Sequence, residues 1–191
     1  MRGWYSRGYL PHVDVPDTVQ FITYRLHDSM PRAVLDAYDE ALRRKEIDAL
    51  DRLKKIERYL DSGQGACWLR NPAIAAMVED NLRHFDGSRY RLLAWCVMPN
   101  HVHVVAEMLG EYSLEEVTHS WKSYTAHRVN RILSRRGPVW QREVFDRYMR
   151  SLEHLAYTIR YVEENPVAAG LVAEARMWPF SNARLRDELA D

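Results

Sequence analysis

Residues 90–108 read YRLLAWCVMPNHVHVVAEM, and this stretch decides the fold that the sequence predicts. The almost wholly apolar residues 90–98 are typical of a central strand that is covered on both faces. Pro99 and Asn100 are turn residues, so the chain is expected to reverse there and to return as a second strand. The stretch therefore predicts a β-hairpin inside an antiparallel sheet.

Two histidines, His101 and His103, stand one residue apart on the second predicted strand. Because side chains alternate between the two faces of a strand, both imidazoles are expected on the same face of the sheet. The apolar residues of the opposite face should point into the core: Val102, Val104 and Ala106. Two imidazoles side by side on a rigid strand suit a metal site. An isolated pair of this kind is nevertheless more often two ordinary surface histidines.

The flanking sequence supplies the other elements of an α+β domain. Residues 18–26 predict a strand, and residues 31–62 predict a helical hairpin or one long helix. The later elements are a helix opened by Asn71-Pro72, the hairpin, a helix opened by the capping box Ser113–Glu116, an extended segment over 138–148, and a helix over 151–165. Pro166 disfavours the helical state of the residue before it, and Gly170 marks the stop of this last helix. Without the inserted helices this order predicts a ferredoxin-like split βαβ antiparallel sheet with helices on one face.

The length of 191 residues predicts a single domain over residues 1–191, with a helical insertion at about 31–68. A hydrophobic content of 47% and a charged content of 28% are those of a globular protein. No apolar run approaches the roughly 20 residues that cross a membrane, and no signal pattern is present. Cys67 and Cys96 stand in apolar contexts, which indicates buried thiols. A cytoplasmic protein with no membrane partner is therefore expected.

Basic residues are concentrated in residues 121–150, although the net charge of the whole chain is zero. This segment has eight basic residues against two acidic ones, so it can bind nucleic-acid phosphates. A solvated helix face balanced by acids elsewhere explains the same pattern equally well. The candidate DNA-binding side chains are Lys122, Arg128, Arg131, Arg142, Arg147 and Arg150.

The predicted last helix has a polar stripe that is unusual for a helix that packs on a sheet. Tyr161 and Asn165 are four residues apart, so they are neighbours on one helix face. His154 and Tyr157 lie on roughly the same face. The apolar residues that should pack fall on another side of this helix: Leu155, Ile159 and Val162.

Several motifs follow one another along the chain: Met98-Pro-Asn-His-Val-His103, Val139-Trp-Gln141, Phe145-Asp-Arg147 with Arg150, Arg160-Tyr-Val-Glu-Glu-Asn-Pro-Val-Ala-Ala-Gly-Leu171, and Trp178 with Ser181. Together they resemble the motifs of the single-tyrosine HUH transposases, and most of all those of the REP-associated tyrosine transposases. The resemblance covers about residues 17–182 apart from the insertion, with the motifs in the right order and spacing.

The resemblance implies a metal-dependent DNA transposase or strand transferase that acts on single-stranded or hairpin DNA. It implies that His101, His103 and Asn165 hold Mg²⁺ or Mn²⁺, and that Tyr161 on a C-terminal catalytic helix attacks DNA to form a 5′-phosphotyrosine intermediate. Imidazole ligands together with a neutral amide are also compatible with Zn²⁺, whereas Mg²⁺ prefers a site with more oxygen ligands. The sequence does not identify the base that deprotonates the tyrosine.

Other roles stay open for some of these residues. Tyr124 is a second candidate nucleophile, although its spacing from Trp121 favours a buried stripe. His154 is a second candidate metal ligand, and Asn165 also suits a helix C-cap. Base stacking is a further role to weigh against core packing for several side chains: Trp140, Arg142, Trp4, Tyr5 and Tyr9.

Two other functions also stay open. One is a domesticated relative that binds hairpin DNA or RNA without cutting it, and the other is a metal-dependent hydrolase that activates water at the histidine pair. The state of assembly is open as well, because the resemblance is compatible with a monomer and with a homodimer.

Overall fold

The computed structural model describes residues 3–6, 11–14 and 17–185, and it has the α+β architecture that the sequence predicts. The elements follow in the order β1 (Gly3–Ser6), β2 (Pro11–Asp14), β3 (Val19–Arg25), α1 (Arg32–Arg43), α2 (Ala49–Asp61), α3 (Pro72–Arg83), β4 (Tyr90–Val97), β5 (His101–Met108), α4 (Leu114–Ile132), β6 (Phe145–Tyr148) and α5 (Leu152–Ala168). β1 and β2 pair with each other, while β3 to β6 form the main sheet. None of the helices within these ranges is long and apolar enough to cross a membrane.

The main sheet has the strand order β4-β5-β3-β6, and every neighbouring pair is antiparallel. This order is the predicted ferredoxin-like split βαβ arrangement. One part of the prediction is wrong, because β4 is an edge strand and β5 with the two histidines lies inside the sheet. Helices pack on both faces of β4. An edge strand covered in this way has the continuous apolar run that usually indicates a central strand.

The larger hydrophobic core lies between the sheet and the helices α3 and α4. The residues predicted to face the core lie there and are fully buried: Val102, Val104 and Ala106. Trp121 of α4 contacts the rings of Tyr24 and Tyr90, and its indole N–H donates to the Tyr90 hydroxyl at 3.0 Å. The predicted capping box of Ser113 and Glu116 opens α4. The alternation of β5 and the cap of α4 are therefore confirmed.

The insertion is a helical hairpin of α1 and α2 rather than one long helix. Within this described part of the chain, α1 buries no residue and α2 buries only Leu60, so the hairpin joins the domain at the end of α2. Gly65 follows α2 with φ of +86°, and a Cβ there would lie 2.6 Å from the backbone oxygen of Asp28. This close approach requires glycine. The thiols of Cys67 and Cys96 are free and buried, as expected.

The predicted C-terminal helix, α5, lies across the opposite face of the sheet and packs on β4 and β5. The helix continues through Pro166 to Ala168, so the local effect expected of Pro166 does not end it, and it stops just before Gly170 as predicted. A proline inside a helix removes one backbone hydrogen bond and disfavours the helical state of the residue before it. The burial of Pro166 and Val162 against the sheet outweighs that cost. Gly170, with φ of +68°, follows the end of the helix.

Candidate active site

The two histidines of β5 lie on the sheet face that α5 covers, and both are buried. Their Nε2 atoms face each other at 3.0 Å. His103 Nδ1 lies 2.8 Å from the hydroxyl of Thr23, its cross-strand partner on β3, and its ring stacks on Phe21. The alternation of β5 therefore directs both imidazoles to one place, as the sequence predicts.

The hydrogen bonds of Asn100 decide which nitrogen of His101 is free. The Asn100 amide nitrogen donates to the carbonyl oxygens of Leu60 and Gln64, at 3.1 and 2.9 Å. Its Oδ1 lies 2.8 Å from His101 Nδ1 and can only accept, so this nitrogen carries the proton and Nε2 keeps its lone pair. The end of the inserted hairpin thus orients a histidine of the sheet.

α5 brings Tyr161 and Asn165 to the histidine pair. The Asn165 amide nitrogen donates to the Tyr161 hydroxyl at 3.3 Å, in keeping with their spacing of one helical turn. The centroid of the Tyr161 ring lies 5.6 Å from that of His103. Tyr161, Asn165 and the two histidines therefore come together within one chain, so this arrangement needs no exchange of α5 between two copies.

Two carboxyl groups of α2 also face the site, and the sequence analysis missed both of them. Asp61 Oδ1 lies 3.7 Å from His101 Nε2, and Glu57 forms a hydrogen bond with the Tyr161 hydroxyl. Burial raises the pKa of Asp61 to about 6 and that of Glu57 to about 7. The signal in the sequence is their spacing of four residues, which places them on one helix face. Other charged pairs of α2 have the same spacing, so the signal was not specific.

Burial is the largest cause that raises the pKa of the Tyr161 hydroxyl well above its ordinary value. The negative charges of Glu57 and Asp61 raise this pKa further, because they disfavour a nearby phenolate. The hydroxyl therefore keeps its proton at neutral pH. Any reaction at its oxygen needs a group that accepts this proton, and Glu57 is in hydrogen-bond contact with it.

The donor atoms at this site suit a divalent metal. Among the described residues, Asn165 Oδ1 and Asp61 Oδ1 are buried without a hydrogen-bond partner, although buried polar atoms nearly always have one. Adjacent ligands at about 2.1 Å from an octahedral metal lie about 3 Å apart, and the two Nε2 atoms have this spacing. Within the described ranges, no three His, Cys, Asp or Glu side chains already form a metal-binding group, so a third ligand beside the two imidazoles would be the Asn165 amide or a carboxylate that moves closer to them.

An open cleft of about 470 Å³ lies beside Tyr161, between α2 and the end of α5. Glu57 and Asp61 line this cleft together with two basic side chains of α2, Lys54 and Arg58. A chain of phosphates that reaches the Tyr161 hydroxyl through the cleft would pass these cations, which attract negative charge. The insertion therefore contributes charge of both signs to the surroundings of the tyrosine.

The structure separates the six predicted DNA-binding side chains into two groups. Arg147 pairs in register with Phe21, whose ring stacks on His103, and its charge acts on Glu57. Arg150 lies at the start of α5, where its charge acts on His154. The other four lie on or beside α4, across the sheet from the histidines: Lys122, Arg128, Arg131 and Arg142. Arg147 and Arg150 thus lie on the same side of the sheet as the histidines. A role in DNA binding stays a prediction for all six side chains.

The other roles that the sequence left open find little support. Tyr124 is half exposed on α4, across the sheet from the histidines, so its placement in a buried stripe is wrong. Trp140 is buried and its indole N–H donates to a core threonine, which excludes base stacking. Asn165 is no C-cap, because α5 continues beyond it, and His154 lies in the first turn of α5. The side chains of the N-terminal aromatics lie outside the described residues: Trp4, Tyr5 and Tyr9.

Burial lowers the pKa of His103 to about 3, from an ordinary value of 6.5. Below about pH 6.5 the unfolded chain therefore binds a proton at this residue that the folded chain does not, and stability is lost as the pH falls toward 3. We expect the unfolding free energy of the metal-free protein to fall, relative to that of His103→Gln, by roughly 1.4 kcal/mol per pH unit between about pH 6 and 4. Urea unfolding of both proteins at a series of pH values measures this difference.

The comparison of the wild type with His103→Gln cancels the opposite effect of Glu57 and Asp61 on stability, because both proteins keep these two residues. Their raised pKa values stabilise the fold at low pH, and this contribution is lost as the pH rises through about 6 and 7. Parallel stability curves for the two proteins would mean that His103 titrates normally in the folded state.

Comparisons with known proteins agree with the motifs. Residues 73–165 match a family model described as IS200-like transposase. A Haemophilus influenzae protein assigned to the REP-associated tyrosine transposases is 25% identical over 103 residues, which are 49% of this chain and 58% of the relative. The chain thus aligns with less than two thirds of that relative's length.

A solved structure gives an independent comparison of the fold. It is described as a REP-associated tyrosine transposase bound to a REP hairpin, and it superposes with a TM-score of 0.60. The superposition covers 97% of this chain and 86% of the other, at 15% sequence identity. At this identity the likeness concerns the fold alone.

Proposed function

We propose that this chain is an IS200-like transposase related to the REP-associated tyrosine transposases, and that it cleaves and rejoins single-stranded or hairpin DNA through a 5′-phosphotyrosine intermediate. The observation that carries the proposal is the convergence of a tyrosine hydroxyl, an amide and two imidazoles in one buried site. Tyr161 is the proposed nucleophile, and His101, His103 and Asn165 are the proposed metal ligands.

The ligand atoms would hold Mg²⁺ or Mn²⁺ between the sheet and α5. When bound, such a cation polarises the scissile phosphate and offsets the charge that develops on it. The protein prepares the imidazoles for this role, because Asn100 and Thr23 occupy their Nδ1 atoms and leave Nε2 for the metal. Asn165 contributes a buried carbonyl oxygen that has no other partner among the described residues.

The proposed cleavage is an in-line attack by the Tyr161 oxygen on the scissile phosphorus. The bond from phosphorus to the 3′ oxygen of the preceding nucleotide breaks, and this oxygen takes up a proton from solvent to become a free 3′-OH. Glu57 accepts the phenolic proton through its hydrogen bond with Tyr161. A carboxyl group with a pKa of about 7 suits this role at neutral pH.

Rejoining reverses the same steps. The 3′-OH of a DNA strand gives up its proton to solvent and attacks the phosphorus of the phosphotyrosine. The bond from phosphorus to the Tyr161 oxygen breaks, and Glu57 returns the proton to that oxygen. No nucleotide cofactor is needed, because the covalent bond keeps the energy of the phosphodiester. DNA would approach through the cleft, past Lys54 and Arg58 of α2 and beside Arg147 of β6.

The test is trapping of the covalent intermediate with the full chain. The substrate is a set of synthetic DNA hairpins with randomised single-stranded flanks, labelled in one pool at the 5′ end and in another at the 3′ end. With Mn²⁺ or Mg²⁺ we expect the 3′ label to migrate with the protein in a denaturing gel. We expect the 5′ label to appear on a shorter strand that a polymerase can extend, because a 5′-phosphotyrosine leaves a free 3′-OH.

Other outcomes separate the alternatives. Hairpin binding without any cut strand supports a domesticated DNA- or RNA-binding relative. Cut strands without a protein adduct support a metal-dependent hydrolase that uses water. The homodimer that the sequence left open stays a prediction, and light scattering of the protein with and without a hairpin measures it.

A further inference from the structure

The end of α2 has a carboxylate oxygen that the hydrogen bonds of the fold leave without a partner. Asp61 Oδ1 is buried, and among the described residues no donor reaches it. Its distance of 3.7 Å from His101 Nε2 is too long for a hydrogen bond. A buried oxygen without a hydrogen-bond partner destabilises the fold, so its position needs an explanation.

This Asp61 oxygen lies close to one of the proposed metal ligands, His101. His101 Nε2 is the atom that the Asn100 hydrogen bond leaves free, and it lies 3.0 Å from His103 Nε2 and 3.7 Å from Asp61 Oδ1. Asn165 Oδ1 is the other buried oxygen at this site without a partner. His101 Nε2 therefore has both His103 Nε2 and Asp61 Oδ1 within 3.7 Å. Asn165 lies on α5 next to Tyr161, whose ring contacts His103.

We propose that Asp61 is a fourth protein ligand of the metal, and that the inserted helical hairpin is thereby part of the active site. The proposal rests on the proposed function, because it concerns the metal that His101, His103 and Asn165 would hold. A carboxylate ligand supplies the hard, negatively charged oxygen that Mg²⁺ and Mn²⁺ prefer and that two imidazoles and a neutral amide lack.

The anchoring of the hairpin fits this role. The carbonyl oxygens of Leu60 and Gln64, on either side of Asp61, accept both hydrogen bonds from the Asn100 side chain. The same asparagine holds His101 in its orientation. The segment that would bring the fourth ligand is therefore tied to the strand that brings the first two, so the carboxylate and the imidazoles are held as one unit.

The test measures metal binding by the metal-free full chain without DNA, by calorimetric titration with MnCl₂ and with ZnCl₂. We expect Asp61→Asn, which keeps the side-chain shape, to bind Mn²⁺ at least about tenfold more weakly while its affinity for Zn²⁺ falls less. Asp51→Asn, on the exposed first turn of the same helix, is the matched control and should bind both metals as the wild type does.

The outcomes distinguish this proposal from the proposed function. Equal Mn²⁺ affinities of the wild type and Asp61→Asn overturn the role of Asp61 and leave the other three ligands in place. A parallel loss for Mn²⁺ and Zn²⁺ also overturns it, since a merely structural change would weaken both metals alike. A wild type that binds neither metal contradicts the proposed function itself. Circular dichroism of each variant establishes that it is folded.

Discussion

Tyr161→Phe is expected to abolish DNA cleavage and the covalent protein–DNA adduct, with a loss on the order of 10⁴-fold or more. The substitution removes only the hydroxyl, which is the proposed nucleophile. The ring contacts with Phe21 and His103 involve the aromatic ring and are kept. The variant should therefore remain folded and should bind hairpin DNA as the wild type does. Denaturing gels with 3′-labelled hairpins measure the adduct, and mobility shifts measure binding.

Tyr157→Phe is the matched control for this experiment. Tyr157 lies one turn earlier on α5 and is 72% exposed, so the loss of its hydroxyl should leave cleavage unchanged. If Tyr161→Phe still forms the adduct, another residue is the nucleophile and the proposed mechanism is wrong. If Tyr161→Phe still cuts DNA without an adduct, the cutting step uses water and the hydrolase alternative gains support.

His101→Ala is expected to lower metal-dependent cleavage by about 100-fold or more. This imidazole is the proposed ligand whose Nε2 atom lies close to both His103 and Asp61, so its loss would leave the metal with fewer ligands on the side of the sheet. We expect Mn²⁺ affinity to fall together with cleavage, and saturating Mn²⁺ should restore part of the activity. Cleavage rates across a range of Mn²⁺ concentrations measure both effects.

His127→Ala is the control for the histidine substitution. His127 is exposed on α4, across the sheet from the site, and its loss should change neither Mn²⁺ affinity nor cleavage. Because His101 is buried and hydrogen-bonded to Asn100, the unfolding transition of His101→Ala is measured first. A folded variant that cleaves at the wild-type rate excludes His101 as a metal ligand.

Short sequence patterns predicted much of the fold, because strand alternation and helix capping depend only on neighbouring residues. The alternation of β5 separates its histidines from Val102 and Val104 whatever else the chain does, since the side-chain period of a strand is two. The cap at Ser113 depends on a few neighbouring residues and was confirmed in the structure. Predictions of features that depend on contacts between distant parts of the chain were less accurate. Pro166 lies inside α5 because packing against the sheet overrides its local preference.

The candidate site shows the same division. The spacing of His101 and His103, and that of Tyr161 and Asn165, makes each pair neighbours on its own element, and these pairs were predicted from the sequence. Glu57 and Asp61 were missed because their spacing is that of many solvated charges on a helix. Only their burial beside Tyr161 and His101 distinguishes them.

The sequence by itself therefore determined the order of the elements, the faces of β5 and α5 that carry the candidate site residues, and the resemblance to the transposases. These features follow from periodicity and from short motifs, which are local properties of the chain. The tertiary structure alone decided that β4 is an edge strand, that the two pairs of site residues meet in one chain, and that the inserted hairpin adds two carboxyl groups beside them. Such contacts join residues that are 40 or more positions apart, as Asn100 and Leu60 are, and no local pattern encodes which distant side chains will share one buried space.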